Sequence, residues 1–242
     1  APHTPLITTD KYYARFSHIE DHQARVYAAM ISATDDAVGQ VLDAIDKAGI
    51  AENTLIAFTS ISGCDPASGQ CSCDAAKGAR GSLYEGGIHM PLLMRWPQQF
   101  EAGQVFDKQM SLMDVTATAV AVDGNGGRDG IFFDGVDLRP YLKGSSEQAP
   151  HKVLYWVSRP MFGAMEDQFK LIYDDSGQLP AMLFNLGEDP LEKDNLAARR
   201  LDKVLELRSR IDPWRSEISP AAWQPPSIDE VTMGDAPMLV AR

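Results

Sequence analysis

Arg80-Gly81-Ser82-Leu83-Tyr84-Glu85-Gly86-Gly87-Ile88-His89-Met90-Pro91-Leu92-Leu93-Met94-Arg95-Trp96-Pro97 is a polar, glycine-punctuated turn that runs straight into an apolar strand closed by proline. The Gly86-Gly87 pair opens backbone angles closed to other residues and lets the chain pass close to a ligand or to another stretch of backbone. Met90 to Trp96 reads as a buried strand, and its near-continuous apolar run suggests cover on both faces.

The sequence on either side extends this pattern. Residues 1–19 read as an extended loop with Pro and Tyr. Val26, Ala29, Met30, Ala33, Ala37, Val38, Val41, Leu42 and Ile45 recur at helical spacing and predict a long helix over residues 22–48, stopped by Gly49. Residues 54–59 form a short β-branched strand, and 60–89 a loop rich in Gly, Ser, Asp and Cys. A second helix is expected over 111–122, then a Gly-rich loop at 124–130. From about residue 150 the pattern becomes one of short strands, at 152–157, 168–173 and 181–185. A final helix runs from 191 or 195 to 211. The tail after Pro213, with Pro220, Pro225, Pro226 and Pro237, reads as irregular. No internal repeat is evident. The partition this implies is residues 1–148, 149–212 and 213–242.

The chain has 242 residues, enough to bury a real core, with 44% hydrophobic and 23% charged residues. Its formal net charge of −12 argues against a general binder of nucleic acid or anionic membranes. No apolar run approaches the roughly 20 residues that a membrane span needs. The first residues carry no signal-peptide pattern, which leaves the compartment open.

The Arg80–Pro97 run closely resembles a signature of the sulfatase family, Lys-Gly-(Ser/Thr)-Leu-Tyr-Glu-Gly-Gly-x-(Arg/His)-x-Pro. Other segments match the same family in order. Pro2-His3-Thr4-Pro5 looks like its Pro-His-x-Pro loop, whose His contacts the sulfate. Tyr27 to Gly39 resembles the helix before the active-site strand, and Asn53 to Ser60 resembles that strand. Asp114 with Thr118, and Asp134-Gly135-Val136-Asp137-Leu138, look like later landmarks. Phe169-Lys170-Leu171-Ile172 and Leu183 to Leu196 resemble the C-terminal hairpin and turn.

The resemblance implies an α/β fold: part of an alkaline-phosphatase-like central sheet flanked by helices, followed by a small antiparallel sheet with a C-terminal helix. It implies hydrolysis of sulfuric esters by a formylglycine nucleophile within Cys/Ser-x-Pro/Ala-x-Arg. A divalent cation, usually Ca²⁺, and cationic side chains neutralise the sulfate oxygens in that chemistry. His3 and Arg80 are the expected catalytic pair. His3, Arg80, Gly86, Gly87 and, if the loop shifts by three residues, Lys77 are expected against the substrate anion. An exported or periplasmic location fits the resemblance.

The machinery is incomplete. The nucleophile motif and first aspartate pair belong to a family half expected ahead of residue 1. The second ligand pair should follow the strand as Thr-Ser-Asp-Asn-Gly, but here it reads Thr59-Ser60-Ile61-Ser62-Gly63. Ile61 cannot ligate a metal and Ser62 is a poor substitute for Asn, so no metal is expected in this chain alone. Arg80 keeps the charge of the family Lys with a different geometry.

Cys64, Cys71 and Cys73 are the three cysteines, all in one loop. They are read as a disulfide with one thiol left over, as free thiols, or as a Zn²⁺ site completed by Asp65 or Asp74. Cys64-Asp65-Pro66-Ala67-Ser68 resembles the formylglycine motif but has Ser68 in place of Arg. His89 reads as a structural partner, and Glu85 as an acceptor bracing the Gly turn through backbone N–H groups. Asp35 and Asp36 read as a solvated face with no basic partner. Three functions stay open: a sulfatase active only with its other half, a non-catalytic binding or assembly relative, and a related phosphodiesterase or phosphonate hydrolase. Uncovered apolar faces lead us to expect a homo-oligomer or docking of the missing half.

Overall fold

A computed structural model describes residues 2–70, 76–122 and 133–219, and the backbone of 228–233 and 236–241. The order opens with α1 (Asp10–Tyr13), α2 (His22–Lys47), β1 (Ile56–Thr59), α3 (Glu85–Ile88), β2 (Leu92–Arg95) and α4 (Leu112–Val122). It continues with α5 (Arg139–Leu142), β3 (Val153–Ser158), β4 (Met161–Glu166), β5 (Phe169–Asp174), β6 (Met182–Asn185), α6 (Leu201–Glu217), β7 (Ile228–Met233) and β8 (Ala236–Ala241). The scaffold is thus mixed α/β, as expected, with a small antiparallel sheet and helix toward the C-terminus.

The long helix starts where its cap chemistry says it should. Asp21 is the N-cap, and its carboxylate accepts the Ala24 N–H at 2.7 Å. Arg15, before the helix, forks onto Asp36 with contacts of 3.1 and 2.9 Å. Asp36 therefore does have a basic partner. Pairing across 21 residues of sequence hid it from local reading. Beyond α2, β1 and β2 pair antiparallel, with Phe58 opposite Leu93. Among the described residues the expected two-sided cover of β2 is not found: Leu93 is 61% exposed, and Phe58 is 47% exposed.

Strands β3-β4-β5-β6 form a four-stranded antiparallel meander. The period-two alternation of strands divides its residues between two covers. Phe162, Ala164, Leu171, Tyr173 and Leu183 pack with Val204, Leu207 and Ile211 of α6. Their neighbours Met161, Ile172 and Phe184 pack instead with Leu83 and Tyr84, just ahead of α3. The sheet is a wall with the final helix on one face and the Gly-turn segment on the other.

Three sequence expectations need correction. β4 went unread, because Gly163 interrupts its pattern; a Cβ there would stand 3.4 Å from Leu83 Cδ1. The final helix begins ten or six residues later than read and continues through Pro213 to Glu217. The tail is not wholly irregular, since β7 and β8 pair antiparallel.

Helix α4 shows why a landmark acid is needed. Asp114, fully buried, accepts the Ser111 N–H at 2.7 Å as in a capping box. It also accepts from Val136 N at 2.8 Å and faces His151 Nε2 at 2.7 Å. Thr118 Oγ1 accepts the Leu138 N–H at 2.9 Å, so one helix face stitches the 133–138 segment in place.

Candidate anion site

The site is assembled by backbone packed against backbone. Gly63 N–H donates to Gly87 C=O at 3.0 Å, and Gly86 N–H to Lys77 C=O at 2.7 Å. A Cβ on Gly63 would lie 1.8 Å from Gly86 O, and one on Gly86 would lie 2.5 Å from Gly78 O. Only residues without side chains let these segments meet. Arg80 N–H then donates to Cys64 C=O at 2.9 Å, joining the loop after β1 to the start of the Gly turn.

This packing brings His3 and Arg80 together from 77 residues apart, with His3 Nε2 2.6 Å from Arg80 Nη1. His3 Nδ1 lies 2.8 Å from Thr4 C=O, which can only accept, so Nδ1 carries the proton. Nε2 then accepts from Arg80, and the ring is neutral. Asp65 Oδ2 completes the cluster, 3.5 Å from Arg80 Nη1 and 3.7 Å from His3 Nε2. Sequence reading had weighed Asp65 only as a zinc ligand. Both side chains, His3 and Arg80, are about half exposed.

The other candidates fall out differently. Lys77 lies over the rings of Tyr84 and Phe184, 4.4 and 5.6 Å from their centroids, rather than in the His3–Arg80 cluster. Cys64 is disulfide-bonded, which excludes it as a formylglycine precursor and as a thiolate ligand. Cys71 and Cys73 lie outside the described residues. Ile61 is 88% exposed and carries no donor atom. Ser62 Oγ is turned to its neighbour's carbonyl, Gly63 O, at 3.2 Å. Among the described residues no group of three or more His, Cys, Asp or Glu side chains is placed to hold a metal. The residues at the family ligand positions do not fit a hard divalent cation.

Beneath the Gly turn sits a buried charge network. Lys170, fully buried, is 2.6 Å from Glu85 Oε1 and 3.0 Å from Glu192 Oε1. Glu192 Oε2 accepts the Glu85 N–H at 2.7 Å, and Glu85 Oε2 meets His89 Nδ1 at 2.9 Å. The carboxylate that braces the turn's backbone is therefore that of Glu192. Glu85 spends its own carboxylate on Lys170 and His89. Burial works to raise the Glu85 carboxyl, but hydrogen bonds and charge from His89 and Lys170 outweigh it and hold the group down at about 2. Burial pushes the Glu192 carboxyl up, with Lys170 pulling against it. Burial, aided by the Glu192 charge, also pushes the Tyr84 hydroxyl up to about 12. Sequence reading gave no role to Lys170 or Glu192. The available signal was a lone lysine inside the apolar strand Phe169-Lys170-Leu171-Ile172, on the same strand face as Ile172.

A crystal structure of Ps i-CgsB superposes with a TM-score of 0.83 at 28% identity, covering 92% of this chain and 50% of that one. The fold is thus an alkaline-phosphatase-like scaffold of the kind found in sulfatases. The family model described as Sulfatase matches residues 1–124. The chain belongs to the sulfatase family. It is 32% identical over 160 residues to human steryl-sulfatase, covering 63% of this chain and 26% of that protein. It is 34% identical over 166 residues to the uncharacterized sulfatase YdeN of Escherichia coli strain K12, covering 65% and 28%. The chain spans about a quarter of the length of these curated relatives and about half that of the solved structure.

Proposed function

We propose that this chain supplies the sulfate-recognition part of a sulfuric ester hydrolase, with His3 and Arg80 as the groups that meet the anion. The observation that carries this is the 2.6 Å contact between His3 Nε2 and Arg80 Nη1, made across the glycine-packed loops. In the presence of a sulfuryl group, the guanidinium offers charge-assisted hydrogen bonds to its oxygens. The neutral imidazole offers its protonated nitrogen if the ring turns away from Thr4 O.

Residues 61 and 62 support a second element of the reading: this segment has lost its share of the cation site. A hydrocarbon and a hydroxyl stand where two hard oxygen ligands belong, so no step is assigned to a metal. The chain alone is then an anion binder rather than a catalyst. The same substitutions favour the alternative of a non-catalytic sulfatase-fold binding protein. The Cys64 disulfide fits an exported or periplasmic setting. The exposed Phe58–Leu93 pair fits a twofold homo-oligomer burying more than roughly 2,000 Å².

The test uses the purified chain. Methyl sulfate is titrated while the His3 imidazole proton resonances are followed. Saturable shifts that vanish in Arg80→Ala are expected, with no turnover of p-nitrophenyl sulfate above background with or without Ca²⁺ or Mn²⁺. Metal-dependent turnover abolished by His3→Ala would refute the loss of the cation site. Methyl sulfate titrations without any saturable shift would refute the recognition role.

A further inference from the structure

We infer that Asp65 is a specificity-determining residue, a built-in competitor that makes this cluster favour a singly charged sulfate ester over doubly charged inorganic sulfate. The inference rests on the recognition role of His3 and Arg80 and adds to it the chemical form of anion that the cluster accepts.

The argument begins with position. Asp65 Oδ2 faces the same two nitrogen atoms an oxyanion would use, 3.5 Å from Arg80 Nη1 and 3.7 Å from His3 Nε2. Neither distance is a hydrogen bond, so the carboxylate stands against the cluster without saturating it. Its backbone is anchored on both sides. Asp65 C=O accepts from Ser68 N at 3.0 Å and from Ser68 Oγ at 2.7 Å. The preceding Cys64 is disulfide-bonded and its C=O is held by Arg80 N–H. The following Pro66 restricts the Asp65 backbone to extended angles. The carboxylate cannot leave with its loop while Arg80 stays, because the two share that backbone bond.

Charge completes it. With His3 neutral, Arg80 and Asp65 sum to zero, so the cluster offers donors without net positive charge. A sulfate monoester carries one negative charge, and inorganic sulfate carries two. Each unit of ligand charge meets both the guanidinium and the carboxylate, so the second charge of free sulfate gains no net attraction from the pair, while its removal from water costs more than that of the singly charged ester. Asp65 therefore weakens both anions but weakens inorganic sulfate more. In a hydrolase that bias eases release of the inorganic product. In a binding protein it excludes free sulfate in favour of sulfated molecules.

The experiment compares methyl sulfate with inorganic sulfate, titrated by calorimetry into wild type, Asp65→Asn and Asp65→Ser at low ionic strength. Wild type is expected to bind methyl sulfate more tightly. Both variants should tighten inorganic sulfate about tenfold and methyl sulfate about threefold, which erases the preference. Arg80→Ala should lose both ligands in either background. Thermal melting of each variant shows that the fold is kept, and agreement between Asn and Ser separates loss of charge from local distortion. An unchanged ratio of the two affinities in both variants overturns the role of Asp65 while leaving the recognition role standing. Failure of every form to bind either anion overturns both.

Discussion

The β1–β2 ribbon and the β3–β6 sheet are both made of apolar strands, yet they end in opposite conditions. The sheet is closed on two sides, by α6 and by the Leu83–Tyr84 segment. Leu171, Leu183 and Leu207 have no solvent exposure. The ribbon has Phe58 and Leu93 side by side and open to solvent, and α2, 26 residues long, buries only Val26 and Ala29. Apolar composition alone does not say whether a strand is covered. The neighbours supplied by the rest of the protein decide that.

The network joining the sheet to the glycine turn ahead of the ribbon is where the contrast breaks most sharply. Lys170→Met removes the cation shared by buried Glu192 and part-buried Glu85 and should cost about 3–5 kcal/mol in urea unfolding. Combining it with Glu85→Gln and Glu192→Gln should recover much of that loss, since no buried charge is then left unpaired. A single-variant loss below about 1 kcal/mol would mean the network is not a joint.

Next come the two surfaces themselves. Leu207→Ala opens a cavity in the closed core and should cost about 2–5 kcal/mol. Phe58→Ser with Leu93→Ser removes comparable side chains from the ribbon and should change monomer unfolding by no more than about 0.5 kcal/mol each. Its effect should appear in sedimentation equilibrium instead, as a shift from oligomer to monomer. Wild type running as a clean monomer at micromolar concentration would remove the case for self-association.

The smallest effect lies at His89, largely exposed but paired with Glu85. Its hydrogen bond to Glu85 raises the imidazole above its usual value. A raised histidine stabilises fully below its unfolded value, about 6.5, and loses that contribution as pH climbs through the folded one. His89→Gln should therefore melt lower than wild type near pH 5, by about 0.3–0.5 kcal/mol, with the gap closing above neutrality. A gap that widens with pH would assign the wrong partner to His89.

Much of this architecture was legible because it is local. α2 was read from its spacing to within a residue, and β3, β5 and β6 from their short apolar runs. The glycine turn was legible because close backbone approach leaves glycine no substitutes. Three features resisted. β4 carries Gly163 where a side chain would signal a strand. The Pro213 ring reads as a helix stop, although the helix runs on through it. The Arg15–Asp36 and Lys170–Glu192 pairs depend on folding across long stretches of sequence, which no window of residues contains. In the candidate site, the approach of His3 to Arg80 was legible from pattern. Asp65 needed coordinates, because its meaning lies in what it faces.

The bond from Glu85 N–H to Glu192 spans 107 residues. A ribosome adding about 5–20 residues per second makes those residues in roughly 5 to 20 s. Through that interval the glycine turn has emerged without the carboxylate that braces it, and for most of the interval without Lys170. Loop closure over such a length is entropically costly until the sheet exists to reward it. The glycine turn is thus made well before the carboxylate that braces it, and it settles only once the far end of the sheet is in place.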